Sequence, residues 1–198
     1  MLRTRIITAV VLLALLLPTF FWASPIVFAL VMGLLASAAM WEWARLAGFR
    51  SVAAVGWALL WLASAGGLLA VMHAGVATSS LSLRPILVVA ALVWIVLLGF
   101  CLPQASLPRG FAVPGVLASL GFVVMSAAWL ALLLARESGP GFLLSLLGMA
   151  WVADIAAYFG GRAFGRRKLA PRISPGKTWA GVYAALFAEL IYALVCSQ

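Results

Sequence analysis

The chain has 198 residues, of which 67% are apolar and 9% charged, with a mean hydropathy of +1.21. Soluble domains run at about 45–50% apolar and about 25% charged, so a water-exposed fold would turn large apolar patches to solvent. A soluble enzyme, a disordered tail and, with only 2 cysteines, a secreted disulfide scaffold are excluded. The net charge of +9, from 13 basic and 4 acidic residues, would point to nucleic acid in a soluble protein. In a membrane protein it is read as orientation, and no nucleic-acid partner is expected.

Seven apolar segments follow in chain order: 6–22, 25–41, 55–72, 86–101, 114–134, 142–161 and 178–196. Most approach the roughly 20 residues that a helix needs to cross the hydrocarbon core. Arg3 and Arg5 before the first segment give it the look of a signal peptide. The next apolar run follows almost at once, however, so an uncleaved first span is expected. Ala23 and Ser24 form a tight turn, and Pro25 suits the first position of the second helix. His73 to Leu83, rich in serine, is read as a loop on the outer face. Glu42 and Arg45, three residues apart on one helix face, are expected to pair. Trp22, Trp41, Trp43, Trp57 and Trp179 stand at or near span ends, as in an aromatic belt.

With the N-terminus inside, the cytoplasmic segments are 1–5, 42–54, 102–113 and 162–177. They hold Arg3, Arg5, Arg45, Arg50, Arg109, Arg162, Arg166, Arg167, Lys168, Arg172 and Lys177, which is 11 of the 13 basic residues; Arg84 and Arg136 fall on the other face. Basic loops are retained inside. The expectation is an all-α polytopic transmembrane bundle of about seven spans, N-terminus cytoplasmic, forming a single integral-membrane domain over 1–198. It would lie in a bacterial inner membrane with its active face to the cytoplasm.

Residues 151–181 carry the chemistry. Asp154 sits within the sixth span, where an aspartate at mid-membrane costs about 2.5–3.5 kcal/mol on insertion scales. Tyr158 and Arg162 follow on the same helix face, and Ala153, Ala157 and Gly161 make an adjoining small-residue stripe that admits a neighbouring helix. Asp154 is either a structural carboxylate paired with a basic loop residue or one that lines a polar site and holds a divalent cation. The loop 162–177 brings six Lys/Arg residues. These mark topology and attract anionic lipid; some can also neutralise a substrate's phosphates, arginine through its fork and lysine as a point charge. The run Ser174-Pro175-Gly176-Lys177-Thr178 has the Gly-Lys-Thr of a P-loop, but Pro171 occupies the place of that motif's first glycine. Ser174 is expected to cap the last helix, with Pro175 at its first position and the amides of Gly176 and Lys177 free to hold an anion.

Asp154-x3-Tyr158, the run Gly165-x2-Lys168-Leu169-x-Pro171, and Ser174-Pro-Gly-Lys-Thr-Trp-x-Gly181 resemble the bacterial phosphatidate cytidylyltransferase (CDP-diacylglycerol synthase) family. Trp41-Glu42-Trp43-Ala44-Arg45-Leu46 also looks like the family's early segment. The sequence departs from the family at Ala180, where an acidic or amide residue is frequent, and at Ala184 and Ala185, where glycines are. A further family signature of Gly-Asp, Lys-Asp and His-Gly-Gly…Asp-Arg…Asp does not occur in these 198 residues. The resemblance therefore implies the N-terminal part of a longer fold, with metal-binding carboxylates beyond it, and leaves the activity of this polypeptide to be measured.

The resemblance implies nucleotidyl transfer from CTP to phosphatidate, giving CDP-diacylglycerol and pyrophosphate in phospholipid biosynthesis, with Mg2+ or another divalent cation. Asp154 and Lys177 are the candidate catalytic residues, Asp154 also the metal ligand. Tyr158, Arg167, Lys168, Arg172, Ser174, Gly176 and Thr178 are the candidates for substrate binding. CTP, phosphatidate and membrane lipid are the expected partners, and a homo-oligomer is compatible with the sequence. Two rivals come from other classes. Asp154 and Glu189 within spans would serve an ion-coupled transporter, and the basic loop alone would serve a non-catalytic scaffold that binds anionic lipid.

Overall fold

A computed structural model describes residues 2–74, 84–104, 113–171 and 173–197. Among the described residues there are seven helices: α1 (Leu2–Phe21), α2 (Pro25–Leu46), α3 (Ser51–His73), α4 (Arg84–Gln104), α5 (Pro114–Glu137), α6 (Pro140–Phe164) and α7 (Trp179–Cys196). Each coincides with one of the apolar segments. Between α6 and α7 lie two short strands, β1 (Lys168–Ala170) and β2 (Ser174–Thr178). Among the described residues α2, α3, α5, α6 and α7 are each long and apolar enough to cross a membrane. The chain is a helical membrane protein. Its helices satisfy their own backbone groups, which lipid requires.

The chain divides into two compact units, one of residues 1–93 and 109–140, the other of 94–108 and 141–198. In the first, α2, α3 and α5 pack together through small side chains. Ala54, Ala58, Trp61 and Ala65 recur on one face of α3, and Ala29, Gly33, Ser37, Met40 and Ala44 on one face of α2. Both sets follow the helical period. Indole and hydroxyl groups then tie helix to helix. Trp129 donates to the Ala29 carbonyl (3.0 Å), Trp61 to the Ser126 hydroxyl (3.1 Å), and Ser37 to the Ala58 carbonyl (3.1 Å). The outward faces are equally apolar: Leu34 and Leu59 are each 59% exposed and Val52 85%. Such a surface fits hydrocarbon and not water.

Local chemistry sets the ends of these helices. The Ser24 hydroxyl accepts the Val27 N–H (3.3 Å) and Pro25 opens α2, as expected of that turn. Gly48, at φ +101°, ends α2 in the left-handed conformation that a side chain disfavours. Trp43 donates to the Leu117 carbonyl (2.7 Å), joining the end of α2 to the start of α5. Arg136 reaches the Ala23 carbonyl (3.5 Å), joining the end of α5 to the α1–α2 turn. Thus 43 and 117 share one end of the unit, 23 and 136 the other.

Three expectations are corrected here. Arg45 lies over the Trp41 ring, 5.2 Å from its centroid, rather than pairing with Glu42, because a half-buried indole face beside the guanidinium competes with an exposed, hydrated carboxylate. Trp43 and Trp57 turn inward, Trp57 against Phe49 and Phe122, so of the expected belt it is Trp22, 80% exposed, that faces outward most fully. His73 closes α3 and is not loop; 75–83, the remainder of that predicted loop apart from Ala74, lies outside the described residues.

Candidate functional site

In the second unit α6 and α7 run against each other along glycines. A methyl group on Gly181 would stand 2.8 Å from the Ala157 carbonyl, and one on Gly161 would stand 3.0 Å from the Thr178 hydroxyl. Gly160 faces Ala184, and Gly148 leaves room for Tyr192, whose hydroxyl donates to the Ser145 carbonyl (3.0 Å). The stripe Ala153, Ala157, Gly161 is therefore where α7 is admitted, since small residues let backbones approach in lipid.

The segment between the helices is a hairpin and not an open loop. Lys168 pairs with Thr178 and Ala170 with Ser174, antiparallel. Pro171 follows Ala170, where its fixed φ suits a tight turn, and the Ile173 N–H donates back to the Ala170 carbonyl (3.1 Å). The register shifts between the two pairs, so β2 spends two more residues than β1. Such bulges re-aim side chains. Pro175, without an N–H, and Gly176 supply the irregular stretch.

This placement corrects the expected start of α7. Ser174, Pro175, Gly176 and Lys177 belong to β2, held extended by pairing with β1. The cap is Thr178, at φ −134° and ψ 156°, whose hydroxyl accepts the Gly181 N–H (3.2 Å). Gly176 and Lys177 thus precede the first turn, and their amides do not form the helix-end anion site expected of them. The Thr178 side chain is 6% exposed and is cradled by Gly161 and Gly165.

A cleft of about 750 Å³ opens between α6, the hairpin and α7. Asp154, Tyr158, Lys168, Ser174, Gly176, Lys177 and Thr178 all line it, so seven of the nine sequence candidates share one site. Arg162 lines it too, and donates to the Tyr158 hydroxyl (3.2 Å). The sequence places Arg162 on the Asp154 face without assigning it to the site; its spacing of eight from Asp154 is the signal that finds it. Ala153, Ala157, Val182, Ala185 and Leu186 form an apolar wall. Arg167 is not among the lining residues: its guanidinium lies over the Trp179 ring, 5.9 Å from the centroid. Arg172 lies outside the described residues.

Arg162, Lys168 and Lys177 thus line the same cleft as Asp154, the one carboxylate among its lining residues. Three cations beside one acid favour a ligand with several negative charges. Among the described residues no three His, Cys, Asp or Glu side chains gather, so this is no closed metal cage. One carboxylate with nearby hydroxyls does fit a magnesium-like ion, which is commonly held by one or two carboxylates and the substrate's own phosphates.

Residues 3–198 match the model of the cytidylyltransferase family. The phosphatidate cytidylyltransferase of Pseudomonas aeruginosa is 37% identical, the match covering 94% of this chain and 67% of that one. That of Haemophilus influenzae is 33% identical, covering 98% and 72%, and that of Brucella suis 32%, covering 100% and 68%. No solved structure matches. The resemblance carried by residues 151–181 thus extends along the chain, which belongs to the cytidylyltransferase family.

Proposed function

We propose that this chain transfers a cytidylyl group from CTP to phosphatidate, releasing pyrophosphate and forming CDP-diacylglycerol. The observation that carries the reading is the meeting of Arg162, Lys168 and Lys177 with Asp154 in one cleft, in a chain of this family. A phosphate oxygen of phosphatidate attacks the α-phosphorus of CTP. The bond from that phosphorus to the bridging oxygen breaks, and the electron pair leaves with pyrophosphate. Both reactants are anions, so their approach needs positive charge, and the departing pyrophosphate needs it more. Lys177 and Lys168 reach the cleft from the hairpin and Arg162 from α6. Holding both phosphates in line is the remaining requirement.

Asp154, with phosphate oxygens of the substrate, would hold a divalent cation. When bound, that ion adds Lewis-acid stabilisation of the phosphoryl oxygens. The Tyr158 hydroxyl, accepting from Arg162, orients the guanidinium toward the cleft. The apolar wall suits the diacylglycerol part of the lipid. The wider reading is of a single seven-span domain in a bacterial inner membrane, with the N-terminus and the cleft cytoplasmic, where CTP is available. The family assignment favours this transferase over a carrier or a lipid-binding scaffold.

Purified protein given radiolabelled CTP, phosphatidate and magnesium should form labelled CDP-diacylglycerol. Lys177→Ala should raise the KM for CTP at least about tenfold, since a hydrogen bond to a charged group contributes about 1.5–3 kcal/mol. Arg50→Ala, at the base of α3 in the other unit, should leave it unchanged. Equal effects of the two substitutions would refute the phosphate site.

A further inference from the structure

We infer that Arg167 is a positioning residue, which clamps the base of the hairpin to α7 so that Lys168 and Lys177 face the cleft. Arg167 and Lys168 are neighbours in sequence, yet only Lys168 lines the cleft. Arg167 is joined to Trp179 twice. Its carbonyl accepts the Trp179 N–H (3.0 Å), and its guanidinium lies over the indole, 5.9 Å from the centroid. Trp179 is braced in turn by Tyr183, the rings 6.1 Å apart.

The contact matters because the hairpin is small. Two strands of three and five residues with a shifted register have little stability of their own; even a full isolated hairpin is marginal in water. Thr178 holds the α7 end of β2 through its buried cap. The first residue of β1 is Lys168 itself, and the residue immediately before it is the one tied to Trp179. Releasing Arg167 would let Lys168 swing, and with it the strand partner of β2. Arg167 is exposed and Trp179 half-buried; a cation–aromatic contact at such a surface site changes an equilibrium by about two- to five-fold, so the clamp tunes the hairpin and does not decide the fold.

The consequence for catalysis rests on the proposed transfer reaction; the clamp itself does not. Hydrogen exchange at the amides of 168–170 and 179 in detergent-solubilised protein tests the clamp. Arg167→Gln should accelerate exchange about two- to five-fold. Trp179→Leu should do the same, the double variant should be no faster than either single, and Arg167→Lys should keep most of the protection. In turnover, the losses in kcat/KM for CTP from Arg167→Gln and Trp179→Leu should likewise fail to multiply. Unchanged exchange in Arg167→Gln would overturn the inference; so would multiplying losses with a raised KM confined to Arg167→Gln, which would make Arg167 a direct phosphate contact. A wild-type protein that makes no CDP-diacylglycerol would remove the transfer reaction, while the exchange result would still decide the clamp.

Discussion

Replacing Thr178 with valine separates two roles that the sequence could not tell apart. The residue lines the cleft, so its hydroxyl invites assignment to a phosphate. The geometry instead has that hydroxyl accept the Gly181 N–H at 3.2 Å and cap α7. Valine keeps the shape and removes the acceptor. Loss of an N-cap costs about 0.5–2 kcal/mol, and leaving a buried donor unpaired costs about 1–3 kcal/mol. These describe the same lost bond, so about 1–3 kcal/mol is expected in total. Gly181 is buried against α6, where water cannot easily take over, which favours the upper part of that range. Thermal denaturation in detergent should show it, at about 2–4 °C for each kcal/mol in a chain of this length. Thr178→Ser should recover most of the loss. The KM for CTP should change little in either variant. A Thr178→Val protein as stable as wild type, with a several-fold higher KM, would show that the hydroxyl serves substrate and not the helix.

Two further outcomes follow from packing. Gly181→Ala would put a methyl group 2.8 Å from the Ala157 carbonyl and should destabilise by about 1–3 kcal/mol, whereas Gly66→Ala, in α3 with nothing within 4 Å, should be neutral or slightly stabilising; melting curves of the two variants make the comparison. Trp129→Phe removes the donor to the Ala29 carbonyl at 3.0 Å while keeping most of the ring, and should lower stability by about 1 kcal/mol without altering CTP turnover, measured on the same preparations.

What was legible in the sequence follows from what lipid and geometry demand. Each helix was visible because a span in hydrocarbon must be long, apolar and self-bonded. Which face turns inward was hidden, because Leu34 and Leu59 outside are as apolar as Phe28 and Trp61 inside; only the alanine and glycine spacing hinted at contact. The column Asp154, Tyr158, Arg162 was legible because α6 is a regular helix, and residues four apart share a face. The hairpin was not. Strands of three and five residues, one holding Pro175 and Gly176, offer too few alternations to register as a period. That omission explains the errors downstream of it. Taken as an unstructured loop, 162–177 treats every cation as equally able to reach a phosphate. Taken as a hairpin, neighbouring residues diverge: Lys168 enters the cleft while Arg167 turns to Trp179. The same correction moves the cap from Ser174 to Thr178, four residues later, and shifts the proposed anion site from helix amides to side-chain charges. The site's electrostatics therefore depend on how the hairpin holds Lys168 and Lys177, and less on the dipole of α7, whose positive effect falls off within the first turn.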